Sequence, residues 1–79
     1  MDTEKQIVEE FAKDMLKKIE LRHNRYAPMG WKTMDVKRLI TLLGGELAEL
    51  QEAIKANDKE HIRSEAVDIA NYVMFISEL

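Results

Sequence analysis

Between residues 36 and 54 the apolar side chains fall at Val36, Leu39, Ile40, Leu43, Leu47, Leu50 and Ile54, three or four positions apart almost throughout. That spacing lines one side of a helix and fits no strand, whose apolar positions alternate. Ile7, Phe11, Ala12, Met15 and Ile19 share the same period, and Ile62, Ile69 and Val73 continue it near the end. One Pro and three Gly leave little material for strands and tight turns. The pattern predicts an all-α chain, a helical bundle of three main helices. Thr3 with Gln6 three residues on reads as a capping box, opening a helix that runs to about His23. The stretch "NRYAPMGWKT" ends it at Pro28 and Gly30. Asp35 opens a second helix to about Ala56, "ANDKE" is a turn, and Asp58 caps a third helix from about Lys59 to the end. There is no internal repeat and no low-complexity segment.

Residues 1–79 suffice for a single domain, and a chain this short buries a marginal core. It has no cysteine, so neither disulfides nor thiolate metal ligands compensate. Three helices with apolar residues on more than one side are expected to complete their core by oligomerisation, as a homodimer or a dimer of dimers. No apolar run approaches the ~20 residues that span a membrane. The opening "MDTEKQIVEEF" is acidic and is no secretory signal, so the expected location is cytoplasmic.

The net charge of −3 is segregated. Residues 1–12 carry −3, residues 13–38 carry +5 and residues 39–79 carry −5. A basic middle beside an acidic end suits an anionic ligand with its metal, and equally suits solvated helix faces. The overall acidity argues against a nucleic-acid duplex binder.

The acids of the second and third helices are not spread evenly. On a helical wheel Lys37, Thr41, Gln51, Glu52 and Lys55 form the wet side of the second helix, while Glu46 and Glu49 share an arc with Leu39, Leu42, Leu50, Ala53 and Ala56. On the third helix Glu65 and Asp68, three apart, share an arc with Tyr72, Phe75, Ile76 and Leu79. A buried carboxylate costs several kcal/mol. Two of them ~5 Å apart repel by roughly 3 kcal/mol at an effective dielectric near 20. Protonation, Arg or Lys partners, or a divalent cation must offset this. Four carboxylates from two helices match the hard oxygen environment of Mg²⁺ or Mn²⁺. Gly44 and Gly45 each cost about 1 kcal/mol against Ala inside a helix. Gly45 lies beside Glu49 on the wheel, which leaves room for a ligand or a helix, or marks a kink or simple tolerance.

"ELAEL", "EAVD" and the following "IAN" resemble the ExxE…ExxD signature of the MazG-like, all-α nucleoside triphosphate pyrophosphohydrolases, and "RHNRYAPMGW" resembles the entry segment of their short phage-type and archaeal members. The resemblance covers roughly Arg22 to Leu79 and leaves the first helix generic. It implies that Glu46, Glu49, Glu65 and Asp68 bind Mg²⁺ (or Mn²⁺) as the catalytic acids. The reaction implied is cleavage of a nucleoside triphosphate into a monophosphate and pyrophosphate. Asn71 would continue the site by donating to a phosphate or sugar. Family bundles usually include a further helix, which again implies an oligomer.

Other residues carry two readings each. His61, one turn before Glu65, is a ligand or a structural helix-start histidine. Trp31 and Tyr26 stack on a base or pack on the bundle. Lys32, Arg22, Arg25 and Arg38 contact phosphate or are surface charges. Rival functions are a non-enzymatic oligomerisation or regulatory module, a di-iron bundle (whose Glu-x-x-His pairs are missing) and the sister activity, phosphoribosyl-ATP pyrophosphohydrolysis.

Overall fold

A computed structural model describes residues 3–21 and 29–79. Helix α1 spans Glu4–Leu21, a 3₁₀ turn spans Gly30–Thr33, α2 spans Val36–Lys55 and α3 spans Lys59–Ser77. No strand occurs among the described residues, and no helix among them is long and apolar enough to cross a membrane. Arg22, Arg25, Tyr26 and the Pro28 break lie outside the described residues.

Each helix starts where its side-chain chemistry supplies the missing partners of the first turn. Thr3 Oγ1 accepts from the Gln6 N–H at 3.2 Å and Gln6 Oε1 accepts from the Thr3 N–H at 2.7 Å, a reciprocal capping box. Asp35 Oδ1 accepts from the Lys37 N–H at 2.8 Å, and Asp58 Oδ1 from the His61 N–H at 3.1 Å. The α2–α3 corner closes in two non-helical residues after Ala56. Asn57 takes the left-handed conformation (φ 55°), its N–H donates to the Ile54 carbonyl, and the Asp58 N–H donates to the Ala53 carbonyl. This pair of bonds is a Schellman termination, with Asn tolerated at the left-handed position. Asp58 then caps the next helix without a spacer.

Helices α2 and α3 pack along each other, and α1 packs chiefly against α3. The core joins Trp31, Leu39, Tyr72 and Phe75, with Ile19, Met34, Leu42, Leu43, Met74 and Ile76 against it. The 3₁₀ turn delivers Trp31 onto α3, where its ring stacks on Phe75.

The apolar stripe read along residues 36–54 does not form one buried face. Leu39 is fully buried and Leu43 and Leu50 are half-buried, but Val36, Ile40, Leu47 and Ile54 are exposed, Ile40 and Ile54 to 56%. α2 turns instead toward the acid-bearing arc, burying Leu39 and Ala53 and half-burying Leu42 and Glu46. Among the described residues, no element lies over the other half of the stripe. In α1 no residue is buried, and Ile7 and Ala12 of its apolar side are exposed. Leu79 is half exposed beyond the end of α3.

Candidate active site

The acids sit where α2 and α3 face each other. Glu46 and Glu49 project from successive turns of α2, and Glu65 and Asp68 from successive turns of α3. Glu65 and Asp68 are 5% and 4% exposed and Asn71 6%. Glu46 is half-buried and Glu49 is exposed. One carboxylate oxygen each from Glu46, Glu49 and Glu65 lies within 4.8 Å of the other two. Asp68 is not part of that trio. Its Oδ2 is held from the other side by Lys18 of α1, whose Nζ is 2.9 Å away. The same ammonium donates to the Ser64 carbonyl at 2.9 Å and to Ser64 Oγ at 2.6 Å.

Two of the ways to offset clustered negative charge are present at once. Lys18 supplies a cation to Asp68. Glu46 supplies the other, because its carboxyl is pushed up to about 8, first by burial, then by a hydrogen bond with Glu65 and by the charges of Glu65, Asp68 and Glu49. Glu46 therefore retains its proton at neutral pH.

The bonds on α3 share a pattern. His61 Nε2 lies 3.2 Å from Glu65 Oε1, to which it donates when protonated there, while Glu65 Oε2 is buried with no partner. Asn71 Nδ2 donates to the Met15 carbonyl of α1 at 3.1 Å, while Asn71 Oδ1 is buried with no partner. Glu46 Oε2 is likewise buried, and apart from the Glu46 proton that bonds toward Glu65 neither it nor Glu65 Oε2 meets a donor. All three orphaned side-chain atoms found among the described residues are oxygens that only accept, or that accept once ionised. Buried acceptors without a partner are costly. A set of carboxylate oxygens in this state fits a hard divalent cation such as Mg²⁺ or Mn²⁺, which prefers oxygen ligands. Asn71, read from sequence as a donor to substrate, spends its donor on α1 and has only its acceptor to offer.

Trp31 is 8% exposed, with its ring 4.7 Å from that of Phe75 and 12° from parallel, so it packs on the bundle. Lys32 is exposed with Nζ 5.9 Å from the centre of the Trp31 ring, and Arg38 is exposed on α2. Glu52 is exposed beside Lys55 at 3.5 Å, as the wheel requires. Lys18, Ser64 and the Met15 carbonyl were not legible as site residues. Lys18 and Asp68 are fifty positions apart, and a lysine in a run of charged residues carries no mark of its partner.

A family model for phosphoribosyl-ATP pyrophosphohydrolase matches residues 8–77. The chain belongs to that family. It is a branch of the MazG-like all-α nucleoside triphosphate pyrophosphohydrolase superfamily, so the match falls on the sister activity of the sequence resemblance. It also begins in α1, which extends the family domain over a helix that the motifs left generic. An uncharacterized protein of Archaeoglobus fulgidus is 33% identical over 72 residues, covering 89% of this chain and 77% of that protein. No solved structure matches the chain. The phosphoribosyl-ATP pyrophosphohydrolase family places the chain among enzymes that hydrolyse a pyrophosphate bond of a nucleotide.

Proposed function

We propose that the chain hydrolyses the α–β phosphoanhydride of a nucleoside triphosphate group, giving a monophosphate and pyrophosphate, with Glu46, Glu49, Glu65 and Asp68 as the acidic machinery. The observation that carries this is the trio of oxygens from Glu46, Glu49 and Glu65 within 4.8 Å, two of whose carboxylates leave a buried oxygen without a partner. Phosphoribosyl-ATP contains the same triphosphate as ATP, so the family match and the sequence resemblance agree on the bond and differ on what it is attached to. Both are substrates for the test.

A bound Mg²⁺ or Mn²⁺ would neutralise phosphate charge and polarise the attacking water. Glu46, Glu49 and Glu65 are the residues to hold it, with Asp68 completing the set. The chain's own part is then to orient and to manage protons. Glu46 would give up its retained proton to a bound cation's charge, because the repulsion that raised its pKa would then be offset. Glu49, the exposed member, would meet incoming water and take its proton on the oxygen it does not offer the cation, as the water oxygen bonds to phosphorus and the bridging P–O bond breaks. His61 fixes Glu65 through Oε1 and so aims Oε2 inward.

The protein is proposed to act as a homodimer or a dimer of dimers. The exposed Val36, Ile40, Leu47 and Ile54 side chains of α2 are the surface that favours this reading. A nucleotide substrate and a cysteine-free chain suit a cytoplasmic setting. The deciding experiment measures pyrophosphate release from NTPs, dNTPs and phosphoribosyl-ATP with Mg²⁺ or Mn²⁺. Release from at least one, dependent on the cation, is expected. Silence across the panel would leave a non-enzymatic bundle as the better account.

A further inference from the structure

We propose that Lys18 is a positioning residue for this reaction, holding Asp68 from the α1 side so that the carboxylate enters the site in one orientation. The proposal rests on the reading of Asp68 as part of the acidic machinery. The ammonium has three donors, and three oxygens receive them: the Ser64 carbonyl, Ser64 Oγ and Asp68 Oδ2, at 2.9, 2.6 and 2.9 Å. A lysine is ordinarily a mobile point charge on a flexible stem. Here it is half-buried and cradled by two residues one turn apart on α3. α1 thus brings no acid to the site but brings its fixed cation, and the family match includes the segment that carries it.

Removing the cation has two separable effects. Asp68 loses a cation 2.9 Å from its Oδ2 in a buried setting, so its demand for another cation rises. It also loses its hold from the α1 side, so that oxygen no longer sits where the reaction needs it. Lys18→Met is therefore expected to bind Mn²⁺ more tightly, by about fivefold or more, while kcat falls about tenfold or more with KM for the nucleotide little changed. A residue with a merely structural role would not combine tighter metal binding with slower turnover. Lys18→Arg keeps the charge but not the Ser64 cradle, and should restore Mn²⁺ affinity to the wild-type value with partial recovery of kcat. Lys17→Met, a neighbour on α1 lining the same groove against α3, should leave both unchanged.

Mn²⁺ binding is measured by electron paramagnetic resonance of the free ion, folding by circular dichroism, and turnover by pyrophosphate release. If Lys18→Met does not fold, Lys18→Gln, which removes the charge and keeps a donor, carries the same two expectations. Mn²⁺ affinity unchanged or weaker in the charge-removing variant overturns the role of Lys18, and so does unchanged kcat. Failure of the wild-type protein to bind Mn²⁺ overturns the metal reading beneath it instead. The Mn²⁺ measurements decide without any identified substrate.

Discussion

Trp31 lies flat on Phe75, ring centres 4.7 Å apart and planes 12° from parallel, while Tyr72 meets the same Phe75 edge-on at 6.2 Å. The stack joins the 3₁₀ turn to the last turns of α3 and makes the only tryptophan a core residue. Trp31→Ala should cost about 3–5 kcal/mol of stability, and Trp31→Phe clearly less, in urea unfolding followed by circular dichroism. A tryptophan serving as a base platform would behave differently: its loss would raise KM and leave the unfolding midpoint in place.

Divalent cation should stabilise the fold through the acids and not through its surface. At a hundredfold excess over Kd, Mg²⁺ or Mn²⁺ is expected to add about 2.7 kcal/mol, read as a rise in melting temperature. Glu46→Gln and Asp68→Asn should shrink that rise. Glu52→Gln should leave it intact, since Glu52 is exposed beside Lys55. A melting temperature indifferent to the cation, or a rise lost in Glu52→Gln alone, would reject the site.

The proton on Glu46 predicts a pH dependence with a definite sign. Its pKa is about 8 in the fold against 4.5 for a free glutamate side chain. The fold therefore holds a proton that the unfolded chain has released between those values. The stabilising difference is fully present below pH 4.5 and lost as pH rises through 8. Without divalent cation, stability from this group should decline across that window, and Glu46→Gln should flatten the profile. Adding Mn²⁺ at pH 7 should release a proton into weak buffer, detectable by calorimetry in buffers of different ionisation enthalpy; no release would mean that Glu46 is already ionised.

How much of this was legible follows from which interactions are local. The three helix starts are, since Thr3, Asp35 and Asp58 bond within three residues of themselves. The burial of Glu65 and Asp68 is nearly so, because Tyr72 and Phe75 one or two turns on mark their face as the inner one. The face of α2 was not. Ile40 and Ile54 are as apolar as Leu39, and periodicity reports which residues share a side without reporting what lies against it. Only α3, whose own acids must meet Glu46, decides that α2 docks through its mixed face. The anchors from α1 were beyond reach for the same reason: Met15 offers a backbone carbonyl, which every residue has, and Lys18 resembles its charged neighbours.

The two glycines of α2 give a direct measure of what else approaches that helix. Among the described residues, a Cβ built on Gly44 or Gly45 meets nothing within 4 Å. In the isolated chain Gly44→Ala and Gly45→Ala should each stabilise by up to about 1 kcal/mol. If either variant is more stable yet loses nucleotide turnover, the open space beside Glu46 and Glu49 belongs to the ligand.

The uncovered side of α2 predicts self-association. Sedimentation equilibrium at micromolar concentration is expected to show at least a dimer, and Leu47→Lys or Ile54→Lys to shift it toward the monomer. A well-folded wild-type monomer under those conditions would rule this out.

Helix α1 has no buried side chain, and its described ties to α3 are polar for the most part: Lys18 to Asp68, Asn71 to the Met15 carbonyl, and Arg63 to Asp14 at 3.0 Å with its guanidinium over the Phe11 ring. Such an element should open on its own, well below the free energy of global unfolding. Its amide protons would exchange with solvent deuterium earlier than those of α2 and α3, which share the Leu39–Tyr72–Phe75 core. Each such opening would take Lys18 from Asp68 and the Met15 carbonyl from Asn71 together. Exchange along α1 would then act as a clock for how often the acid site loses its supports. Salt, which loosens the exposed Arg63–Asp14 pair, would make that clock run faster.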